Sequence, residues 1–164
     1  MVELGPQQAK VLTVSDGVES GSVDLSGAAL EDRLGEVGFD VIERRVVPDV
    51  VEDVSNALSY MAYGFNGLIV TTGGTGFGPR DITPEATNRI LDRAAPGLAD
   101  AIRAIGPLGR LSRSTAGIRG AALILNVAGD PVGAVAMLDA VIDVVPEALA
   151  VLGGRTSHSD VRGS

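Results

Sequence analysis

Residues 68–85 read Leu68-Ile69-Val70-Thr71-Thr72-Gly73-Gly74-Thr75-Gly76-Phe77-Gly78-Pro79-Arg80-Asp81-Ile82-Thr83-Pro84-Glu85. The apolar start predicts a buried strand, and the glycines that follow allow a loop whose bare N–H groups can approach an anion. Thr83 is predicted to cap the next helix, with Pro84 as its first residue and Glu85 in its first turn. This order predicts a phosphate site that ends on a helix N-terminus, although the same glycines could serve only a tight turn.

Strands and helices alternate on both sides of this stretch. Predicted strands are residues 10–15, 41–47, 67–70 and 121–127, and predicted helices are residues 26–35, 50–62, 84–94, 96–105 and 131–152. Ser26 could cap the first helix, and Pro146 could break the last one. Residues 16–24 are predicted to be a glycine-rich loop and residues 108–120 an irregular segment. Repeated βα units predict an α/β fold of one domain, with a mostly parallel sheet and helices on both faces.

Small, acidic or glycine residues follow four of these strands. They are Ser15 with Asp16, Pro48 with Asp49, the loop 73–81, and Asn126 with Gly129-Asp130-Pro131. Because ligands of parallel sheets bind beyond the carboxyl ends of the strands, these loops are expected to meet at one rim. The acids also have local explanations: Asp49 could form a capping box with Glu52, Asp130 could be only an N-cap, and Asp16 a turn former.

The residue types that the chain lacks narrow its chemistry. It has no Cys, and its one His, His158, lies in a polar tail, which disfavours a catalytic triad, a His metal cluster and a thiolate nucleophile. Its one Lys, Lys10, is far from the glycine loop, and no Gly-x4-Gly-Lys-Ser/Thr occurs, so a Walker-type site is excluded. Carboxylates, hydroxyls, guanidiniums and backbone amides remain, and proteins use this set with Mg²⁺ to handle phosphates.

Charge and hydropathy indicate small-molecule partners. The net charge of −8 argues against nucleic acid and anionic membranes, since both require a basic surface. The apolar stretches are too short for a membrane span, and the start Met1-Val2-Glu3-Leu4-Gly5-Pro6 does not look like a signal peptide. A cytoplasmic protein is expected.

Residues 72–87, Thr72-Gly73-Gly74-Thr75-Gly76-Phe77-Gly78-Pro79-Arg80-Asp81-Ile82-Thr83-Pro84-Glu85-Ala86-Thr87, closely resemble the signature of the MogA/MoaB family of molybdenum cofactor biosynthesis. This family includes the G domain of gephyrin. The similarity spans nearly the whole chain and also includes Ser15-Asp16, Asp24-x-Ser26-Gly27, Val47-Pro48-Asp49, Pro96-Gly97-Leu98, the segment 111–120 and Leu123-Ile124-Leu125-Asn126.

The resemblance implies a three-layer α/β/α sandwich, a molybdopterin-binding domain over residues 1–153, and a flexible tail at 154–164. It implies assembly as a trimer or hexamer, and suggests the downstream molybdenum insertase as a partner. The implied reaction is Mg-ATP-dependent adenylylation: the terminal phosphate of molybdopterin attacks the α-phosphorus of ATP, giving adenylylated molybdopterin and pyrophosphate.

Residue roles carry over from the resemblance by position. Asp49 and Asp81 match the catalytic acids tied to Mg²⁺. The remaining matched positions belong to the nucleotide and pterin pockets: Ser15, Asp16, Ser26, Gly73, Gly74, Thr75, Gly76, Arg80, Thr83, Glu85, Ser112, Arg113, Gly129, Asp130 and Pro131.

The chain departs from the family pattern at two positions. Asp130 stands where the family often has Ser or Asn beside an anionic ligand, so Arg113 or Arg119 would have to compensate its charge. Glu147 follows Pro146 where the family often has a His. Retention of Asp49 and Asp81 favours the enzyme, whereas Asp130 favours a non-catalytic protein that binds a pterin or a partner. A nucleotide-sugar or pyridine-nucleotide hydrolase of the same fold ranks last.

Overall fold

The computed structural model describes residues 5–154. The strands are Gln8–Val14 (β1), Asp40–Val47 (β2), Leu68–Thr72 (β3), Arg93–Ala94 (β4), Ala116–Arg119 (β5) and Ala122–Val127 (β6). The α-helices are Asp16–Glu19 (α1), Leu25–Glu36 (α2), Val51–Ala62 (α3), Thr83–Ile90 (α4), Pro96–Arg103 (α5), Pro131–Asp139 (α6) and Val145–Leu152 (α7), and two 3-10 helices cover Pro107–Leu111 and Ile142–Val144. The predicted tail 154–164, with His158, lies outside the described residues except for Gly154.

The six strands form one mixed sheet in the order β2-β1-β3-β6-β5-β4. The first four strands in this order, β2, β1, β3 and β6, are parallel, as predicted. β5 pairs with β6 in antiparallel orientation, and β4 pairs with β5 in antiparallel orientation at the sheet edge. The connection from β5 to β6 is short and includes Gly120 at φ +60°, which permits a tight hairpin rather than a helical crossover.

Two apolar cores lie on opposite faces of the sheet. Val11 and Val70 face one core, where α2, α5, α6 and α7 pack. Their strand neighbours Leu12 and Ile69 face the other core, under α3 and α4. Because successive strand residues point to opposite faces, strands covered on both faces are mostly apolar, and β3 is buried at every residue. The three-layer α/β/α fold is thus confirmed.

Local capping differs from the prediction at the start of α2. The segment 16–24 contains a single helical turn, α1, and is not a loop throughout. Asp24, not Ser26, is the N-cap of α2, and its carboxylate accepts the N–H of Gly27 at 3.0 Å. Ser26 is the second residue of the helix, and its side chain is therefore available to the neighbouring cavity.

The structure also differs from the prediction at the β4 edge of the sheet and in the last predicted helix. α4 ends at Ile90, because Arg93 and Ala94 pair with β5 inside the segment 108–120 that was expected to be irregular. The predicted helix 131–152 is two helices, and the interruption lies at residues 140–144. Pro146 lies in the first turn of α7, where its missing N–H costs no hydrogen bond.

The chain order creates a crevice beyond β1 and β3. From β1 the chain passes to β2 on one side, and then crosses to β3 on the other side of β1. The connections leave in opposite directions at this point, which is where open α/β sheets bind ligands. Within residues 5–154, no helix has the length and apolar character needed to cross a membrane.

Candidate active site

A cavity of about 370 Å³ lies beyond the carboxyl ends of β1 and β3. All four predicted loops contribute to it, which confirms their convergence. Its lining residues are Thr13, Val14, Ser15, Val18, Val23, Leu25, Ser26, Asp49, Thr72, Gly73, Gly74, Asp81, Gly129 and Pro131.

At two positions of the loop after β3, the backbone conformation and the neighbouring atoms permit only glycine. Gly73 and Gly74 have φ of +99° and +68°, in the region that side chains disfavour. A Cβ on Gly73 would lie 2.4 Å from the carbonyl oxygen of Val14, and one on Gly74 would lie 2.4 Å from Oγ1 of Thr83. The backbone therefore packs more closely here than any other residue type would permit.

Thr83 stabilises this loop from within. Thr83 was predicted to be the N-cap of α4. The N-cap is Ile82 instead, and Thr83 is the first helical residue. The buried Thr83 hydroxyl donates to the carbonyl of Gly73 at 2.9 Å, and its N–H donates to the carbonyl of Gly74 at 3.0 Å. The hydroxyl thus serves loop geometry and does not face the cavity.

Arg113 holds the same loop from the outside. Its Nε donates to the carbonyl of Gly76 at 2.8 Å, its Nη2 to the carbonyl of Asp81 at 2.5 Å, and its Nη1 to Glu85 Oε2 at 2.7 Å. The pKa of Arg113 is raised, chiefly by its bond to Glu85. Arg113 and Glu85, both expected in a ligand pocket, instead brace the loop and do not line the cavity.

Asp49 does not form the capping box that was considered for it. The N-cap of α3 is Val50, with no side-chain cap bond. Oδ2 of Asp49 accepts the N–H of Asp16 at 2.9 Å, and the N–H of Asp49 donates to Oδ1 of Asp16 at 2.9 Å. Oδ1 of Asp49 lies toward the glycine loop, since a Cβ on Gly74 would be 3.2 Å from it.

Arg80 completes this arrangement at the rim. Its Nε donates to Oδ2 of Asp16 at 2.6 Å and its Nη2 to Oδ1 at 3.0 Å. The bond from Arg80, followed by that from the Asp49 N–H, lowers the pKa of Asp16. Burial raises the pKa of Asp49, and the charges of Asp16 and Asp81 act in the same direction. Removing like charge or adding a cation would therefore favour ionised Asp49.

Asp81 is the second carboxylate of the cavity. Its Oδ2 accepts the N–H of Gly78 at 2.8 Å, and a Cβ on Gly76 would lie 2.9 Å from the same oxygen. No lining residue of the cavity is a Lys or Arg. The two carboxylates therefore make the cavity lining itself negative, and such a lining attracts positive charge.

The donor set fits Mg²⁺ that is shared with a substrate. Within residues 5–154 there is no group of three or more His, Cys, Asp or Glu side chains arranged to bind a metal ion. Mg²⁺ is commonly bound through one or two carboxylates together with substrate phosphates and water. Asp49 and Asp81 supply two carboxylates to the cavity lining.

Residues of the turn after β6 line two different depressions, the cavity and a second one beside it. Gly129 and Pro131 line the cavity, whereas the exposed Asp130 is the N-cap of α6 and accepts the N–H of Gly133 at 2.6 Å. Asp130 lines a neighbouring apolar depression of about 520 Å³, together with Thr75, Gly76 and Ser112. The Ser112 hydroxyl donates to Oγ of Ser114 at 2.8 Å.

Residues 10–150 match the family described as "Probable molybdopterin binding domain". The chain belongs to this family.

Its relatives cover most of the chain. A molybdopterin adenylyltransferase of Helicobacter pylori is 36% identical over 152 residues, which span 88% of this chain and 86% of the relative. The Escherichia coli K12 molybdopterin adenylyltransferase is 36% identical over 130 residues, spanning 74% of this chain and 66% of the relative. The solved MoaB of Thermus thermophilus has 42% identity and a TM-score of 0.85, covering 91% of this chain and 98% of that structure.

The structure brings some of the predicted site residues together at the cavity and places others outside its lining. Ser15, Ser26, Asp49, Gly73, Gly74, Asp81, Gly129 and Pro131 line the cavity as predicted, although the Ser15 hydroxyl also caps α1 by accepting the N–H of Val18. The cavity residues that sequence reasoning missed are Thr13, Val14, Val18, Val23, Leu25 and Thr72. Thr13 and Thr72 carried a usable signal, because each is a polar residue near the carboxyl end of an apolar strand.

Proposed function

We propose that this chain is a molybdopterin adenylyltransferase that uses Mg-ATP. The observation that carries the proposal is the meeting of Asp49, Asp81 and the glycine loop at one cavity, at the point where the sheet reverses its strand order. The relatives named molybdopterin adenylyltransferase support it, since they match across most of the chain.

The proposed reaction is a single displacement at phosphorus. A phosphate oxygen of molybdopterin forms a bond to the α-phosphorus of ATP, the bond from that phosphorus to the bridging oxygen breaks, and pyrophosphate leaves. Such a transfer needs alignment of the reactants and compensation of charge, and it needs no covalent nucleophile from the protein. A cavity lined by carboxylates, hydroxyls and backbone amides meets that requirement.

The proposed role of the glycine loop is to receive the nucleotide phosphates. Within residues 5–154, the N–H groups of Gly74 and Gly76 have no hydrogen-bond acceptor. Because neither residue carries a side chain, a phosphate oxygen can come within hydrogen-bond distance of these groups. Buttressing by Thr83 and Arg113 keeps the loop in one conformation before the ligand binds, which lowers the entropic cost of binding.

The charged residues of the site have separate proposed roles. Asp49 and Asp81 would hold Mg²⁺, which when bound with ATP supplies charge neutralisation to the phosphates. Because these acids would repel a free polyphosphate, the nucleotide is expected to bind as its magnesium complex. Arg80 is 62% exposed at the rim, and its Nη1, which takes no part in the bonds to Asp16, can donate to a substrate phosphate.

The test is product formation by the purified protein. Incubation with molybdopterin, ATP and Mg²⁺ is expected to yield adenylylated molybdopterin and pyrophosphate in equal amounts, and chelation of Mg²⁺ is expected to stop the reaction. A protein that binds molybdopterin tightly and forms neither product would be the non-catalytic relative instead. Asp130, the residue that favoured this alternative, caps α6 and is outside the cavity lining, which supports the proposal of an enzyme.

We further propose a cytoplasmic homotrimer, or a hexamer built from it, that passes its product to a molybdenum insertase. Exposed aliphatic side chains around the second depression, Leu108, Leu111 and Val132, provide apolar surface that assembly could bury.

A further inference from the structure

Asp16 and Asp49 hold each other by two hydrogen bonds between backbone and side chain. Each carboxylate accepts the N–H of the other residue, and both distances are 2.9 Å. Asp16 follows β1 and Asp49 follows β2, so the bonds join two loops that are 33 residues apart in sequence. The parallel pairing of β1 with β2, which places Val14 opposite Val47, brings Asp16 and Asp49 side by side.

The bonds determine which oxygen of Asp49 can serve the cavity. Oδ2 of Asp49 is occupied by the Asp16 N–H, which leaves Oδ1 next to Gly74. Among the described residues, the turn at 48–50 receives no other side-chain hydrogen bond, and the N-cap Val50 offers none. Asp16 is thus the side chain that orients the backbone on which Asp49 is mounted.

The carboxylate of Asp16 bonds to other protein groups and is not part of the cavity lining. It is not among the lining residues, although its neighbour Ser15 is. Its Oδ1 accepts from the Asp49 N–H and from Nη2 of Arg80, and its Oδ2 accepts from Nε of Arg80. Both oxygens are therefore engaged by protein donors, which is the pattern of a residue that orients another residue and not of one that binds the ligand.

We propose that Asp16 is a positioning residue, which holds Asp49 so that its Oδ1 faces the glycine loop and the metal–nucleotide complex. The inference rests on the proposed function for the identity of that complex. It predicts that the metal dependence of nucleotide binding responds to the acceptor oxygen at position 16, and not to the negative charge there.

Three variants separate these effects. Asp16→Ala removes the acceptor and the charge, whereas Asp16→Asn removes the charge and keeps an oxygen that can accept the Asp49 N–H. The matched control is Asp92→Ala, because Asp92 also accepts a backbone N–H, that of Gly120 at 2.7 Å, and also pairs with an arginine, Arg119. Asp92 is outside the cavity lining.

Calorimetric titration of each protein with ATP at a series of Mg²⁺ concentrations provides the first measurement. Asp16→Ala is expected to raise the Mg²⁺ concentration for half-maximal nucleotide binding by about tenfold or more, the scale of losing a group that orients a metal ligand. Asp16→Asn is expected to recover most of that loss, and Asp92→Ala to match the wild type. Hydrogen exchange at the Asp49 amide provides the second measurement, with faster exchange expected only in Asp16→Ala.

The outcomes are distinct. Unchanged metal dependence in Asp16→Ala would overturn the inference, and so would an Asp16→Asn protein as impaired as Asp16→Ala, since charge would then be what matters. If the wild type binds ATP with Mg²⁺ but forms no adenylylated product, the proposed function fails while the variant comparison still decides the role of Asp16. Absence of Mg²⁺-dependent ATP binding by the wild type would overturn both.

Discussion

Asp49 and Asp81 approach the cavity from different loops, and each has one carboxylate oxygen engaged by a backbone N–H. Such bonds fix a carboxylate in place without neutralising it. At the scale of single residues, the site is therefore arranged for preorganised charge, the kind of stabilisation that contributes most in phosphoryl transfer.

Replacement of Asp81 by Asn keeps the size of the side chain and removes its charge. The oxygen that accepts the Gly78 N–H can be retained, so the fold should persist while turnover falls by about a hundredfold or more. Rates of pyrophosphate release, with circular dichroism as the check on folding, measure this. Asp49→Asn is expected to behave in the same way, and an unchanged rate in either variant would remove that residue from the catalytic role.

Asp130→Ser is expected to be almost neutral. Asp130 caps α6 and does not line the cavity, and Ser caps about as well as Asp. Affinities for molybdopterin and for ATP should each stay within about twofold of the wild type, an energy difference well under 1 kcal/mol. Pterin binding tightened by about tenfold would instead show that the carboxylate repels the ligand. Asp130→Ala, which removes the cap, should lower the free energy of unfolding by about 1 kcal/mol.

At the scale of elements, the glycines in the loop between β3 and α4 permit close backbone packing, and hydrogen bonds from Thr83 and Arg113 hold the loop in place. The loop glycines were recognisable in the sequence, and so was the helix that follows. The support from Arg113 was not, because 37 residues separate Arg113 from Gly76 and only the fold brings them together. For the same reason β4 was missed, since an edge strand of two residues exists only through its pairing with β5, which lies far along the chain.

Gly74→Ala tests the rigidity of this loop. The substitution places a Cβ at φ +68° and 2.4 Å from Oγ1 of Thr83, so it should cost about 1–3 kcal/mol of stability and abolish nucleotide binding. The matched control is Gly97→Ala in α5, where the added Cβ meets no atom within 4 Å. That change should be neutral or stabilise by up to about 1 kcal/mol. Denaturant unfolding and ATP titration distinguish the two, and wild-type binding by Gly74→Ala would contradict the proposed role of the loop.

At the scale of the whole molecule, the composition of the chain indicates which side chains a subunit interface would contain. Hydrophobic residues are 45% of the chain and aromatic residues only 3%, so a subunit interface must be made mainly from aliphatic side chains. Light scattering at micromolar concentration is expected to give a mass three or six times the 16.7 kDa of the chain. A monomer under these conditions would contradict the proposed assembly.

The α/β alternation, the glycine loop, and Asp49 and Asp81 as acids that follow two of the strands were all recognisable in the residue order alone. These features follow from local properties: apolar runs predict buried strands, and adjacent glycines allow positive φ. Only the tertiary structure decided which partner each polar group takes. Asp49 binds Asp16 and not its own helix, Asp130 caps its helix and leaves the cavity, and Arg113 braces the loop. The physical reason is competition: a carboxylate or guanidinium binds the nearest well-aligned partner, and distances to residues far along the chain exist only after folding.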